Sequence, residues 1–128
     1  MAHFIDSISI DSLLKAAKTF ERFRTNMVTD RDKAGGIQAF EFTYELAWKT
    51  MKRILAQRGV EVASPRDCIR QAAKNGLISN PEVWFKFIEL RNVTTHTYNE
   101  ETVLAIVDHF DEFSQALKEL ITNLEKSA

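Results

Sequence analysis

The stretch IQAFEFTYELAWKTMKRIL, residues 37–55, carries the pattern that decides the fold class. Its apolar residues recur every three or four positions, as the buried face of an α-helix requires. One stripe consists of Ile37, Phe40, Tyr44, Trp48, Met51 and Leu55. Phe42, Leu46 and Ile54 add a second apolar side, and a helix with two apolar sides is buried by more than one neighbour. In a small protein, the stretch therefore predicts a long helix, ending near residue 58, that also contacts a second copy or a partner.

Four further helices are predicted around this stretch. Ser64-Pro65 and Asn80-Pro81 each place a capping side chain before a proline at the first helical position, a combination that starts helices. Gly35 and Gly36 predict a relaxed turn before the long helix, and Asp30 is a candidate cap for it. The predicted additional helices run from about 8 to 27, from 65 to near Gly76, from 81 to about 90, and from 100 to about 124.

Length and composition favour a single helical domain. The chain has 128 residues, 4 glycines and 2 prolines, which suits long helices rather than a turn-rich β-sandwich. A net charge of -1 argues against nucleic-acid binding through bulk positive charge. The one cysteine, Cys68, and an N-terminus without a basic or long apolar run favour the reducing cytoplasm over export or a membrane. We predict an all-α, antiparallel bundle of about five helices over residues 1–128.

The stretch ELRNVTTHTYNEE, residues 89–101, is harder to explain as packing because it groups Arg91, Asn92, His96 and Tyr98. In a straight helix, five residues turn about 500°, so Arg91 and His96 would point about 140° apart. They can converge if the helix ends between them, as the β-branched Val-Thr-Thr favours, or if two copies meet across a two-fold axis.

These residue types suit chemistry on a phosphodiester. An arginine fork binds phosphate oxygens and the charge of a phosphorane-like transition state, and a histidine exchanges protons near neutral pH. Asn92 would support the pair, and Tyr98 would flank the same pocket. The alternative is structural: Arg91 pairs with Glu89, Glu100 or Glu101, and His96 satisfies a loop carbonyl.

The other candidates have structural explanations of comparable or greater weight. Glu41 is either a carboxylate near an interface that helps to position His96, or a partly solvated side chain. Trp48 and Trp84 are expected in the core, with Trp84 alternatively an interface anchor. His109 is expected at the core boundary, and Cys68 is expected to be buried and unreactive. The three histidines are scattered and there is one cysteine, so no metal site is predicted. The sequence contains no glycine loop of the phosphate-binding types, so no nucleotide cofactor is predicted.

Three segments carry a resemblance to a known family. IQAFEFTYELAWKTMK, SPRDCIRQAAKNGLI and ELRNVTTHTYNEETV resemble the nucleotidyltransferase substrate-binding proteins, a branch of the HEPN superfamily that includes the HepT toxins. The resemblance covers about residues 37–124. It implies a HEPN-like helical bundle that forms a homodimer and has a separately encoded minimal nucleotidyltransferase as partner.

The resemblance also assigns roles within ELRNVTTHTYNEETV. It implies a metal-independent endoribonuclease in which Arg91, Asn92 and His96 form the catalytic motif at the dimer interface. It implies that Tyr98 is adenylylated by the partner enzyme, which silences the nuclease. Two alternatives remain: a non-catalytic subunit that presents a substrate to a nucleotidyltransferase, and a helical interaction module in which the motif is structural.

Overall fold

The computed structural model describes residues 3–127, and over that range it is built almost entirely of helices. A short N-terminal hairpin precedes six α-helices, and a 3₁₀ turn at Thr94–His96 connects the fourth to the fifth. The helices are α1 (Asp11–Arg24), α2 (Asp30–Gln57), α3 (Pro65–Lys74), α4 (Pro81–Asn92), α5 (Glu100–Val107) and α6 (Phe110–Lys126). The prediction of an all-α bundle is confirmed. None of the helices described is long and apolar enough to cross a lipid bilayer.

The N-terminal hairpin corrects the predicted start of the first helix. Strands β1 (Phe4–Ile5) and β2 (Ile8–Ser9) pair antiparallel, and α1 begins only at residue 11 rather than at about 8. Asp6 and Ser7 join the strands with φ angles of 50° and 71°, the left-handed conformation that two-residue hairpin turns need. The hairpin places Ile5 and Ile8 opposite each other, and both side chains are buried in the core before α1 begins.

The glycine pair lies inside α2 and does not form the turn before it. Thr29 caps the helix: its hydroxyl accepts from the Asp32 amide, and the Asp32 carboxylate accepts from the Thr29 amide. A Cβ atom at Gly36 would lie 2.9 Å from the Phe110 ring, and one at Gly35 would collide with the Phe23 ring. The glycines are therefore needed for close approach of side chains from α1 and α6.

The predicted fifth helix is divided into α5 and α6. The break falls at Asp108 and His109, where the His109 amide donates to the Ile106 carbonyl, three residues back. The two pieces pack against different neighbours, α5 against α2 and α6 against α1 and α4. A single straight helix could not follow both directions, so the chain bends where the neighbours change.

The core is centred on an aromatic cluster. Phe113 has its ring centroid 4.8 to 6.2 Å from four others, those of Phe20, Phe40, Trp84 and Phe87. Edge-to-face packing of this kind adds to the free energy of burial. These rings come from α1, α2, α4 and α6, so the cluster joins most of the bundle.

The second apolar side of α2 is only partly a free surface. Ile54, which the sequence pattern places on this second side, is fully buried in the core of its own chain. Leu46 is half-buried, and Phe42 keeps 40% of its surface exposed. Phe42 is thus the residue of this side that remains available for another chain.

The start signals of α3 and α4 and the stop signal of α3 were predicted correctly, whereas α2 is capped by Thr29 and not by the candidate Asp30. The hydroxyl of Ser64 accepts from the Asp67 amide at 3.2 Å, and the side chain of Asn80 accepts from the Glu82 amide at 3.1 Å. Gly76, with φ of 77°, follows α3 in the left-handed conformation that ends helices.

Ser64→Ala should lower the free energy of unfolding by about 1 kcal/mol, the usual cost of losing an N-cap side chain. The reason is that the Asp67 amide would lose its acceptor inside the protein. Urea unfolding followed by circular dichroism measures the change. Ser12→Ala is the matched control, because Ser12 is exposed within α1; an equal loss in both variants would show that capping is not the cause.

Candidate functional site

Helix α4 ends between the two residues of greatest interest. Arg91 and Asn92 form its last turn, and His96 closes the 3₁₀ turn that follows. Arg91 and Asn92 therefore belong to the helix and not to a polar break. The β-branched residues Val93 and Thr94 occupy the transition, where χ1 restriction weakens an α-helix. Of the two routes to convergence considered from the sequence, a helix end between Arg91 and His96 is present.

Arg91 is held by contacts on its own chain. Its Nε lies 3.5 Å from Glu45 Oε1 on α2, and Nη1 donates to the Thr94 hydroxyl at 3.4 Å. The Thr94 hydroxyl in turn donates to the Arg91 carbonyl at 2.8 Å. Nε is buried, but within residues 3–127 no acceptor is aligned for a hydrogen bond to it. The guanidinium is therefore held by charge and by one long hydrogen bond.

Glu45 is the partner that sequence analysis missed. Glu45 pairs with Lys49, one turn further along α2, at 3.7 Å, and it also accepts from Trp48 Nε1 at 3.2 Å while it faces Arg91. The expected structural partners of Arg91 were acids close in sequence, and this one lies 46 positions away. No local pattern marks it, because the contact depends on how α4 packs on α2.

His96 and Tyr98 lie together on the surface. The Tyr98 hydroxyl is 3.3 Å from His96 Nδ1, within hydrogen-bond range, and the two rings meet edge to face with centroids 5.8 Å apart. Tyr98 is 85% exposed and His96 is also exposed. The phenol of Tyr98 is therefore accessible from solvent. Tyr98 lies beside His96 within one chain, and a pocket that it shares with both His96 and Arg91 stays a prediction.

The remaining motif contacts are weaker than expected. Asn92 is exposed, and its side chain makes no hydrogen bond to any residue from 3 to 127. Over the same part of the chain, no hydrogen bond or ion pair joins Arg91 to His96. The structure thus gathers the motif as two groups, Arg91 with Glu45 and Thr94, and His96 with Tyr98.

A cleft of about 660 Å³ opens beside Tyr98. Glu41 lines it from α2, and Val103 and Leu104 line it from α5. Glu41 is half-buried, in agreement with a partly solvated carboxylate, and no contact ties it to His96 in the described chain. Leu104 is 45% exposed, which makes the rim of the cleft partly apolar.

The other candidate residues have structural roles. Trp84 is 1% exposed and belongs to the core, whereas Trp48 is half-buried beside Glu45. Cys68 is fully buried and donates to the Trp48 carbonyl, and burial raises the pKa of its thiol to about 12. His109 lies at the core boundary, with Nδ1 2.8 Å from the Ala105 carbonyl. Among residues 3–127, His, Cys, Asp and Glu side chains form no group of three able to hold a metal ion.

Fold and site together define a class of protein: an all-α bundle that exposes an Arg-x4-His-x-Tyr segment at the junction of two helices. The chain belongs to the family described as nucleotidyltransferase substrate binding protein like, whose pattern matches residues 8–126. The resemblance found in the three segments is confirmed. The family's description associates its members with a nucleotidyltransferase.

Individual relatives agree with this assignment. A Haemophilus influenzae protein named Probable ribonuclease HepT is 38% identical over 93 residues, which are 69% of this chain and 64% of that protein's length. A solved structure from H. influenzae, described as revealing the fold of a substrate binding domain of a nucleotidyltransferase, superposes with a TM-score of 0.81. It is 31% identical, with 91% of this chain and 98% of that one covered. A Thermus thermophilus protein gives a TM-score of 0.82 at 28% identity, with 88% and 98% covered.

Proposed function

We propose that this chain is a HepT-like, metal-independent endoribonuclease of the HEPN type that acts as a homodimer and is silenced by adenylylation of Tyr98. The observation that carries the proposal is the contact between His96 and the hydroxyl of the exposed Tyr98. This contact follows directly after the last turn of α4, which contains Arg91. The name of the 38% identical relative supports the ribonuclease activity. In this proposal the protein is the toxin of a toxin–antitoxin pair, and the enzyme that adenylylates it is the antitoxin. A cytoplasmic location stays a prediction.

The proposed cleavage uses the ribose as the nucleophile. His96 accepts the proton of a 2′-hydroxyl, the 2′-oxygen attacks the adjacent phosphorus, and the bond from phosphorus to the 5′-oxygen breaks. The leaving 5′-oxygen takes up a proton from water, His96 returns its proton to the solvent, and the products carry a 2′,3′-cyclic phosphate and a 5′-hydroxyl. Arg91 stabilises the added charge on the phosphoryl oxygens, which removes the need for a metal ion in that role. Asn92 is exposed at the same helix end and would donate to phosphate.

The dimer is proposed because apolar side chains remain exposed around the motif. Phe42 on α2, Val93 at the end of α4 and Leu104 on α5 are each 38 to 45% exposed. Contact with a second copy would remove their surface from water. Within the described part of one chain, no hydrogen bond or ion pair joins Arg91 to His96. A two-fold axis beside the motif would bring the Arg91 of one copy towards the His96 of the other and so complete the pair.

The proposed silencing follows from the His96–Tyr98 contact. A separately encoded minimal nucleotidyltransferase would catalyse attack of the Tyr98 oxygen on the α-phosphorus of ATP, with release of pyrophosphate and the phenolic proton. The ester would replace the hydroxyl that lies 3.3 Å from His96, and its phosphate would add negative charge beside His96. An RNA backbone would then be repelled, and Arg91 would have a competing ligand.

Tyr98→Phe should keep RNA cleavage within about two-fold of wild type and abolish silencing, since general acid–base catalysis needs His96 and not the phenol. The measurement is cleavage of a labelled RNA after incubation with the nucleotidyltransferase and ATP, with mass spectrometry for the added AMP. Wild type should gain AMP and stop cutting, and the variant should do neither. Retention of AMP by Tyr98→Phe would place the modification on another residue.

A non-catalytic subunit is the second candidate function. It is favoured by one observation, the pairing of Arg91 with Glu45 on its own chain. In this alternative the exposed His96–Tyr98 pair is a docking surface for a nucleotidyltransferase, and the purified protein does not cut RNA. The description of the 31% identical structural neighbour as a substrate binding domain supports it.

A further inference from the structure

Positive charge is concentrated in one part of a chain that is otherwise slightly acidic. The net charge is -1, yet residues 49–74 contain seven lysines and arginines and two acids. Six of these cations are exposed on the C-terminal half of α2 and on α3. We call the five that precede Lys74, at the end of α3, the cationic face. They are Lys49, Lys52, Arg53, Arg66 and Arg70. A local excess of positive side chains over acids attracts a polyanion, even though the net charge of the whole protein does not.

Packing joins the parts of this face into one surface. Cys68 on α3 donates to the Trp48 carbonyl on α2 at 3.5 Å, which sets α3 directly beside α2. Arg66 at the start of α3 lies 3.8 Å from Glu89 on α4. The cationic face therefore spans two helices and reaches a third, so its charges form a patch and not a line along one helix.

Aromatic rings lie beneath the cations. Lys52 Nζ is 5.8 Å from the centre of the Trp48 ring, and the guanidinium groups of Arg66 and Arg70 lie 5.2 and 5.5 Å from the Phe85 ring. Both rings are half-buried. Cations placed over aromatic faces are held in position, and the combination of guanidinium planes, rings and positive charge is the one that binds single-stranded nucleic acid.

The cationic face is continuous with the proposed catalytic arginine. The carboxylate of Glu45 contacts Arg91 at 3.5 Å, Lys49 at 3.7 Å and Trp48 Nε1 at 3.2 Å, so these three side chains surround one acid. Its charge is thereby offset by two cations. Arg91 therefore borders the cationic face, and His96 follows it by five residues in the sequence.

The carboxylates of Glu45 and Glu89 border this face, and both are paired with cations. Tyr44 and Cys68 lie under the face and add no negative charge at pH 7, because their ordinary pKa values already lie above 7 and burial raises both pKa values further. The other side of the motif differs, because the cleft beside Tyr98 is lined by three acids, Asp30, Glu41 and Glu100, against one lysine, Lys33. A polyanion is therefore favoured on the Arg91 side and disfavoured on the Tyr98 side.

We propose that the cationic face is the surface along which single-stranded RNA lies, with its backbone leading to Arg91. The inference rests on the proposed ribonuclease function and adds to it the path of the substrate. Lys52 and Arg70 are its best probes, because each lies over an aromatic ring and neither is in an ion pair with any residue described. Their removal leaves no acid without its partner.

The test measures binding separately from cleavage. A fluorescent single-stranded RNA is titrated, by anisotropy at several salt concentrations, with His96→Ala protein carrying in addition Lys52→Gln and Arg70→Gln. The dissociation constant should rise roughly tenfold, and the slope of log K against log salt should fall by about 1.4, since a single strand contributes about 0.7 for each phosphate contact. Lys15→Gln with Lys18→Gln removes the same charge from exposed positions on α1 and should change neither.

The outcomes separate this inference from the proposed function. Unchanged binding, an equal loss in the α1 control, or no measurable RNA binding would overturn the RNA path, whatever the wild-type protein cleaves. If polyglutamate binds the face as tightly as RNA does, the surface is for an acidic protein and the proposal is wrong. If the Lys52 and Arg70 substitutions weaken RNA binding while wild type cuts no RNA, the path stands and the nuclease function fails.

Discussion

His96→Ala is expected to reduce RNA cleavage by about 10²- to 10⁴-fold, the usual contribution of a general acid–base group. The fold should be unchanged, because the side chain is exposed and its side-chain contact in the described chain is with Tyr98. Arg91→Ala should give a loss of similar size through the missing charge on the phosphoryl oxygens. Cleavage rates of a labelled RNA and circular dichroism spectra of each variant measure both statements.

Two controls make this result specific. His109→Ala removes a histidine at the core boundary, away from the motif, and should keep wild-type cleavage. Mixing Arg91→Ala protein with His96→Ala protein tests the shared site: if each site takes its arginine and histidine from different copies, some mixed dimers regain one intact pair. A loss of cleavage in His109→Ala as large as in His96→Ala would contradict the assigned role.

Phe113→Ala is expected to lower the free energy of unfolding by about 3–5 kcal/mol, the range found when a buried phenylalanine is truncated. Phe113 is fully buried and touches aromatic rings from three other helices, so removal of its ring leaves a cavity that no single neighbour can fill. The loss is a large share of the about 5–15 kcal/mol that stabilises a typical domain. Urea unfolding at 25 °C measures it.

Phe42→Ala is the matched control for this substitution. Phe42 is 40% exposed on α2, and the same truncation there removes fewer contacts. Its effect on the unfolding of a dilute, monomeric sample should stay below about 1 kcal/mol, as for surface positions in general. A change of less than about 1 kcal/mol in Phe113→Ala would contradict the central position given to its ring.

The elements predicted correctly from sequence are those set by local chemistry. Ser64 and Asn80 cap their helices because the amides they satisfy lie two or three residues ahead. His96 and Tyr98 meet because they are two residues apart at the end of a helix. In each case the determining partner lies within one turn, where sequence spacing already fixes distance.

The elements predicted wrongly depend on contacts between distant segments. Gly35 and Gly36 resemble a turn signal, and only the rings of Phe23 and Phe110 explain their place inside α2. The Glu45–Arg91 pair needs the packing of α4 on α2. The Asp6-Ser7 turn lacks the glycine or asparagine that usually marks a hairpin, and so gives no strong sequence signal.

The measurement that tests the central claim most directly is the analysis of RNA ends produced by the purified wild-type protein in EDTA. Mass spectrometry must first show that Tyr98 carries no AMP. The account predicts cleavage, with 2′,3′-cyclic phosphate on one fragment and 5′-hydroxyl on the other. Absence of cleavage by the unmodified protein, or cleavage that requires a divalent metal ion and leaves 5′-phosphate ends, would contradict it.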